Sequence, residues 1–304
     1  MSMVHDRLVE QGGQPMSWQD WVTDGHSDPV SADARIALAH ARTERTANIL
    51  LDQYDGALRR AVDRILDALR GNDLPLGCRL LEVLLDRYEL GRHLTNCWRV
   101  VLAGLPNVGK SSLMNRLVGY GRAIVDAAPG TTRDVLTATS AVDGWPVEFA
   151  DTAGLRAGGP SLERAGMALT QDRLADADLV VLVFDSSRAF SDADSRLVDD
   201  HPDAVRVHNK CDLPPLPALP TMPTMATMAA IPTMADGNRP AGLWASALSG
   251  QGIDGVLEAI SARLVDERPS PGDGVPFTAP HEGYLQAALN AVRQGQVNSA
   301  MEGL

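Results

Sequence analysis

The chain has 304 residues, of which 44% are hydrophobic, enough for one large domain or two small ones. Its net charge of −12 excludes a strongly basic protein, so direct capture of nucleic acid by electrostatics is not favoured. The three cysteines form no C-x-x-C pair, which predicts reduced thiols and argues against a disulfide framework or a zinc site.

The first 30 residues are polar and lack the apolar core of a signal peptide. No apolar run elsewhere approaches the roughly 18 residues that span a bilayer. We therefore expect residues 1–30 to form a poorly ordered tail of a cytoplasmic protein that has no membrane partner. A short docking element around Trp18 and Trp21 is the alternative.

Residues 31–96 carry apolar side chains at the three-to-four spacing of amphipathic helices. Ser31 or Asp33 can cap the start of this pattern, and Gly71 can end its first part. The pattern predicts an accessory α-helical module over 31–96. Residues 267–304 are expected to form a linker and a C-terminal helix that packs on this module.

Residues 97–266 alternate between strand-like and helix-like patterns. The segments WRVVLAG and DLVVLVFD are apolar runs typical of parallel strands that are covered on both faces. The alternation predicts an α/β fold, with a mostly parallel, doubly wound sheet. Residues 213–240 interrupt it with dense prolines and a T-M repeat, which predicts a low-complexity surface loop. A methionine-rich binding surface is the alternative reading of that insertion.

A phosphate loop lies between the first strand and the first helix of this region. Residues 104–111 read GLPNVGKS, which fits G-x-x-x-x-G-K-[ST] in the required strand–helix context. Its glycines let backbone N–H groups turn towards a phosphate, Lys110 supplies a compact charge, and Ser111 offers a hydroxyl to Mg²⁺. The predicted phosphate-binding residues are Asn107, Val108, Gly109, Lys110, Ser111 and Ser112.

Two further segments fit the γ-phosphate and the metal. DTAG, at 151–154, follows a predicted strand, so that Asp151 can hold Mg²⁺ and the N–H of Gly154 can meet the γ-phosphate. APGTTRD, at 128–134, offers Thr131 and Thr132, either of which could complete the Mg²⁺ coordination. An ordinary polar turn is the alternative for the second segment.

A base-reading motif, NKCD, occupies residues 209–212 and contains Lys210, one of only two lysines in the chain. Asp212 can accept both N1–H and the exocyclic amine of guanine, a donor pair that adenine lacks. Asn209 can reach the base and tie back to the phosphate loop, and the stem of Lys210 can cover the base. A backbone N–H of the SAL segment can meet guanine O6, which adds Ser246, Ala247 and Leu248 to the predicted site. Together these elements predict a GTPase that binds GTP and GDP.

Several of these segments together resemble the G domain of the tRNA-modification GTPase family MnmE, also called TrmE. They are GLPNVGKSSLMNRL, PGTTRD, DTAGLR with SLERAG, NKCDL and SALSGQGI, and LGRHLTNCWRVVLAG resembles the helical segment before that domain. The resemblance implies GTP hydrolysis that is stimulated by K⁺ through homodimerisation of G domains and is linked to tRNA modification. The alternative is a slow GTP-dependent binding switch with a partner in tRNA or ribosome maturation.

The resemblance also assigns roles to single residues. Leu155 stands where other GTPases keep a glutamine, and Glu163 matches the glutamate that acts on water in this family. Asn107 matches the asparagine that coordinates K⁺. Arg133 and Arg156 are the alternatives to K⁺ as the positive charge at the phosphates. The family's folate-binding domain and its C-terminal C-x-G-K motif are not found in this sequence. We therefore expect the GTP switch to be retained without direct tRNA-modifying chemistry.

Overall fold

The chain divides into two units in a computed structural model, which describes Arg7 and residues 9–24, 28–120, 137–151, 176–214 and 239–304. The helical unit comprises Met1–Thr95 and Pro269–Leu304. The α/β unit is continuous in sequence and comprises Asn96–Arg268. The α/β unit therefore begins and ends within a chain that contributes helices on both sides of it.

Helices form the first part of the helical unit, and their starts carry capping side chains. In the described residues they are α1 (Trp18–Asp24), α2 (Pro29–Leu38), α3 (Glu44–Tyr54), α4 (Ala57–Arg70) and α5 (Leu74–Gly91). The carboxylate of Asp28 accepts a hydrogen bond from the N–H of Ser31 at 3.2 Å, and Pro29 occupies the first turn of α2. Thr43 and Thr46 form a reciprocal capping box at α3.

Helix α1 lies within residues 1–30, where the sequence predicts a poorly ordered tail. The hydroxyl of Ser17 accepts a hydrogen bond from the N–H of Asp20 at 3.0 Å, which caps the start of the helix. Val22 is buried, and the guanidinium carbon of Arg35 lies 5.6 Å from the centroid of the Trp21 ring. These contacts come from residues outside the helix, so composition and periodicity alone could not reveal them.

The α/β unit is built on a six-stranded sheet. Its described elements are β1 (Trp98–Ala103), α6 (Lys110–Tyr120), β2 (Thr137–Val142), β3 (Trp145–Asp151), β4 (Leu179–Asp185), α7 (Asp192–Asp200), β5 (Val205–Asn209), β6 (Leu243–Trp244) and α8 (Ile253–Leu264). The strand order is β2-β3-β1-β4-β5-β6, and only β2 and β3 pair antiparallel. Asp143 and Gly144 turn between those two strands with φ of 48° and 78°. The predicted α/β class with a mostly parallel sheet is confirmed.

The carboxyl ends of the parallel strands bring polar residues to one edge of the sheet. Leu102 of β1 pairs with Asp151 of β3, and Asp185 of β4 pairs with Asn209 of β5. The strands themselves are apolar and buried, as expected for a sheet that is covered on both faces. Ligands of open α/β sheets bind outside this edge, which directs attention to the loops that follow β1, β3, β4 and β5.

Two helices after the α/β unit complete the helical unit, namely α9 (Ala279–Arg293) and α10 (Val297–Glu302). The buried side chain of Gln53 fastens the segment before α9, because it donates to the carbonyl of Asp273 at 3.1 Å and accepts from the N–H of Val275 at 3.0 Å. A Cβ on Gly91 would lie 1.7 Å from the carbonyl oxygen of Pro276, so only glycine fits at this contact. No helix within the described ranges is long and apolar enough to cross a membrane.

Candidate functional site

The phosphate loop, residues 104–111, connects β1 to α6, and two glycines allow its shape. Gly104 has a φ of 152°, and a Cβ at this position would lie 2.3 Å from the carbonyl oxygen of Val183. Gly109 has a φ of 95°, and a Cβ there would lie 2.4 Å from Nδ2 of Asn209. Side chains at either position would therefore be strained and would collide with the neighbouring strands' ends.

Lys110 lies near the end of this loop and is only 5% exposed. Its ammonium donates hydrogen bonds to the carbonyl oxygens of Gly104 and Leu105, both at 3.0 Å. The same residue begins α6, whose N-terminal end carries partial positive charge. The loop thus gathers an ammonium, a helix N-terminus and turned backbone around one point, an arrangement that suits a phosphate.

Ser111 and Asp151 provide a pair of hard oxygen ligands next to the loop. The hydroxyl of Ser111 donates a hydrogen bond to Oδ2 of Asp151, and the carboxylate is almost completely buried at 1% exposure. Mg²⁺ prefers oxygen ligands and is bound through one or two protein oxygens together with substrate phosphates. These two residues therefore fit Mg²⁺ beside a bound nucleotide, and their role as its ligands stays a prediction.

Asn209 joins the phosphate loop to the SAL segment. Its side-chain nitrogen Nδ2 donates to the carbonyl of Val108 at 2.9 Å, and its Oδ1 accepts from the N–H of Ala247 at 3.0 Å. The residue is 1% exposed, so both bonds are shielded from water. The hydrogen bond to the phosphate loop matches the prediction. The hydrogen bond to Ala247 could not be predicted from the sequence, because Asn209 and Ala247 follow different strands and meet only in the fold.

Lys210 lies beside Asn209 in a left-handed backbone conformation, with a φ of 66°. Its ammonium donates to the carbonyl of Asn107 in the phosphate loop at 2.7 Å and pairs with the carboxylate of Asp185 at 2.7 Å. Both lysines of the chain are therefore bonded to carbonyls of one phosphate loop. A slim ammonium suits this position better than the broad guanidinium of arginine.

Asp185 is a member of this arrangement that sequence reasoning missed. Burial alone would raise the pKa of its carboxyl group, but hydrogen bonds from Lys210 and Ser187 outweigh burial and hold the pKa below the usual value. The carboxylate is therefore ionised at neutral pH and holds the ammonium of Lys210 in place. The sequence did hold a sign of it, because Asp185 ends the apolar run DLVVLVFD and ligands bind at the carboxyl ends of such strands.

The residues after Lys210 that are predicted to read the base are more open. Asp212 is exposed, so its carboxylate is accessible to a ligand from outside. Cys211 is partly buried, and this burial, with a smaller contribution from the charge of Asp212, raises the pKa of its thiol. Cys211 therefore remains a neutral thiol at pH 7, in keeping with the reduced state that its sequence context predicts.

Arg116 of α6 contacts the SAL segment and is the second residue that sequence reasoning missed. Its Nε donates to the carbonyl oxygen of Ala247 at 2.9 Å, and another guanidinium nitrogen donates to the carbonyl oxygen of Leu248. Ser246 is fully buried, whereas Leu248 is 79% exposed at the tip of the segment. The SAL segment, which is predicted to contact guanine O6, is thus hydrogen-bonded to α6, the helix that follows the phosphate loop.

Comparison with known proteins shows what this chain is similar to. A family model described as 50S ribosome-binding GTPase matches residues 99–210. The tRNA modification GTPase MnmE of Prochlorococcus marinus (strain MIT 9303) is 36% identical over 266 residues, covering 79% of this chain and 55% of that protein. MnmE of Geotalea uraniireducens (strain Rf4) is 33% identical over 264 residues, covering 78% and 55%. Over most of its length, this chain is similar to the MnmE GTPases.

The resemblance to MnmE that the motifs indicate is thus confirmed, as is the expectation of a GTP-hydrolysing domain. The chain spans about half the length of the MnmE relatives, 55% in both cases above. Among solved structures, the G domain of the T. maritima FeoB iron transporter aligns with 23% identity and a TM-score of 0.36, covering 56% of this chain and 98% of that chain.

Four predicted residues of this MnmE-type site lie outside the described residues, namely Thr131, Thr132, Gly154 and Glu163. The same holds for Leu155, for Arg133 and Arg156, and for the T-M repeat of the insertion. The described part of the site therefore contains the phosphate loop, the NKCD and SAL segments, and the hydrogen-bonded pair Ser111 and Asp151. The residues proposed to act on water remain predictions.

Proposed function

We propose that this chain is an MnmE-like GTPase that hydrolyses GTP to GDP and phosphate, and that K⁺ stimulates it through dimerisation of its G domains. The observation that carries the proposal is the meeting of both lysines at the phosphate loop, with Asn209 joining that loop to the base-reading SAL segment. A phosphate site and a guanine site so joined suit one nucleotide that spans both.

In this proposal the protein groups have distinct tasks in the reaction. Water attacks the γ-phosphorus, the bond to the β–γ bridging oxygen breaks, and the electron pair stays on GDP. Lys110 binds the oxygens on which negative charge accumulates, and Ser111 and Asp151 would hold Mg²⁺. When bound, Mg²⁺ supplies further positive charge at the phosphates.

The attacking water needs a group that orients it, and Leu155 cannot do so because its side chain has no hydrogen-bonding atom. We assign this task to Glu163, which acts as the positioning residue for the water. Asn107 lies in the phosphate loop in a left-handed conformation with a φ of 66°, and its exposed side chain would hold K⁺. K⁺ would supply charge that an arginine supplies in other GTPases.

GTP hydrolysis should be at least about tenfold faster in K⁺ than in Na⁺ at equal ionic strength. The rate per protein molecule should also rise with protein concentration, since dimerisation is needed to enclose the nucleotide. Phosphate release measured in both salts over a range of protein concentrations checks this. Glu163→Gln should abolish most of the stimulated rate while leaving the Kd for GDP unchanged. Equal rates in both salts at every concentration would rule out the proposed stimulation.

A slow binding switch is the second candidate function, and the match of residues 99–210 to a 50S ribosome-binding GTPase model favours it. Such a protein would bind GTP tightly, hydrolyse it slowly in either salt, and accelerate only with its partner in tRNA or ribosome maturation. The same salt and concentration series therefore separates the two candidates, because only the first requires self-association.

A link to tRNA modification is proposed because the relatives at 33% and 36% identity are tRNA modification GTPases. Deleting the gene in its source organism should lower the fraction of modified wobble uridine in tRNA, and a copy carrying Lys110→Ala should not restore it. Mass spectrometry of digested tRNA measures that fraction. An unchanged fraction in the deletion strain would show that the GTPase serves another process.

A further inference from the structure

The SAL segment is held by a residue that no nucleotide motif contains. Arg116 donates from Nε to the carbonyl oxygen of Ala247 at 2.9 Å, and a second guanidinium nitrogen donates to the carbonyl oxygen of Leu248. One planar guanidinium thus bonds two successive carbonyls, which a lysine ammonium could not do with the same rigidity. The two bonds fix the backbone at the segment's tip to helix α6.

The backbone N–H groups around this tip have mostly found acceptors. Those of Ser246 and Ala247 donate to the carbonyl of Gln251 at 2.9 Å and to Oδ1 of Asn209 at 3.0 Å. Those of Ser249 and Gly250 donate to the hydroxyl and the carbonyl of Ser246, at 3.0 Å and 2.9 Å. Among the described residues, the N–H of Leu248 is the one in this run that remains for a ligand.

The N–H of Leu248 belongs to the same peptide group as the carbonyl that Arg116 holds. A peptide group is planar and trans, so its N–H and its C=O point in opposite directions. Fixing the carbonyl of Ala247 towards Arg116 therefore also fixes the direction of the N–H of Leu248. The hydrogen bonds of the neighbouring N–H groups hold other peptides of the segment, so without Arg116 this peptide could turn while those bonds remain.

We infer that Arg116 is a positioning residue for base recognition, because it orients the Ala247–Leu248 peptide so that the N–H of Leu248 donates to guanine O6. The inference rests on the proposed guanine-reading role of the SAL segment. One helix would then serve both ends of the nucleotide. Helix α6 begins with Lys110 in the phosphate loop, and Arg116, less than two turns further along, holds the SAL segment.

The test compares three nucleotides whose bases differ at single positions. GDP carries O6 and the exocyclic amine, 6-thio-GDP replaces O6 with a weakly accepting sulfur, and IDP keeps O6 but lacks the amine. Isothermal titration calorimetry should show that Arg116→Ala raises the Kd about tenfold for GDP and for IDP. For 6-thio-GDP the increase should be less than about threefold, since the bond that Arg116 supports is already weakened.

Two controls guard the interpretation. Arg196→Ala removes an exposed arginine of the same unit and should leave all three Kd values unchanged. Arg116→Lys keeps the charge without the two-pronged donor geometry, and should show the same ordering of penalties at smaller size. It also serves as the test if Arg116→Ala fails to fold, which circular dichroism would show.

The outcomes separate the inference from the function on which it rests. Equal penalties for GDP and 6-thio-GDP would overturn the inference, because Arg116 would then support the site without acting at O6. No penalty for any nucleotide would overturn it as well. If the wild-type protein failed to prefer GDP over ADP, the guanine-reading proposal itself would fall, whatever the variants showed.

Discussion

Replacing Lys110 with alanine should lower the rate of GTP hydrolysis by about a hundredfold to a thousandfold, the effect of removing one preorganised donor to developing charge. Lys110 is 5% exposed, and its ammonium lies 3.0 Å from two carbonyl oxygens of its own loop. A charge in such a dry, fixed position acts on a phosphate without the reorganisation that water would need. The loss should fall mainly on kcat, because charge on the phosphate oxygens is redistributed as the bond to GDP breaks.

The Lys110→Ala protein should remain folded. Its two lost hydrogen bonds have a charged donor and contribute about 1.5–3 kcal/mol each, against an unfolding free energy of about 5–15 kcal/mol for a typical domain. Single-turnover hydrolysis together with a thermal melt checks both statements. Lys110→Arg retains the charge but not the compact shape, so it should recover little of the rate. Full recovery with arginine would show that the charge alone matters, and Arg196→Ala should behave as wild type.

The phosphate side of the site could be predicted because its information is local. Gly104, Gly109, Lys110 and Ser111 lie within eight consecutive residues, and strand and helix patterns on both sides place them at the edge of a sheet. Asp151 was expected at the same metal as Ser111, because DTAG comes at the end of a predicted strand, and the two side chains are joined by a hydrogen bond. Local sequence thus predicts the groups that we propose to bind phosphate and metal.

The supporting contacts could not be predicted because they join segments that meet only in the folded sheet. Asp185 reaches Lys210 across 25 residues of chain, and Arg116 reaches Ala247 across 131. Neither partner can be chosen before the order of strands β1, β4, β5 and β6 is known. For residues 1–30 the sequence left a tail and a short docking element as alternatives. Local patterns could not decide between them, since a helix of seven residues depends on packing more than on its own propensity.

The substitution Asp212→Asn should reverse the base preference of the protein from guanine to xanthine. The wild-type carboxylate accepts two hydrogen bonds, from N1–H and from the exocyclic amine of guanine. An asparagine offers one acceptor and one donor, so its NH₂ group would oppose the amine of guanine. Loss of two charge-assisted bonds, at about 1.5–3 kcal/mol each, corresponds to a rise in the Kd for GDP of about two to four orders of magnitude.

Xanthine carries a carbonyl where guanine carries the amine, so the asparagine amide complements it with one donor and one acceptor. Asp212→Asn should therefore bind XDP more tightly than GDP, while the wild-type carboxylate repels that carbonyl. Asp212 is exposed, so the change should leave the fold and the melting temperature unaffected. Competition between the two diphosphates for the apoprotein measures the reversal, with Asp203→Asn as the control for a surface carboxylate.

An Asp212→Asn protein that still preferred GDP would mean that another group reads the base. The Arg116 inference would then need a different acceptor, because a base read elsewhere would not place O6 at Leu248.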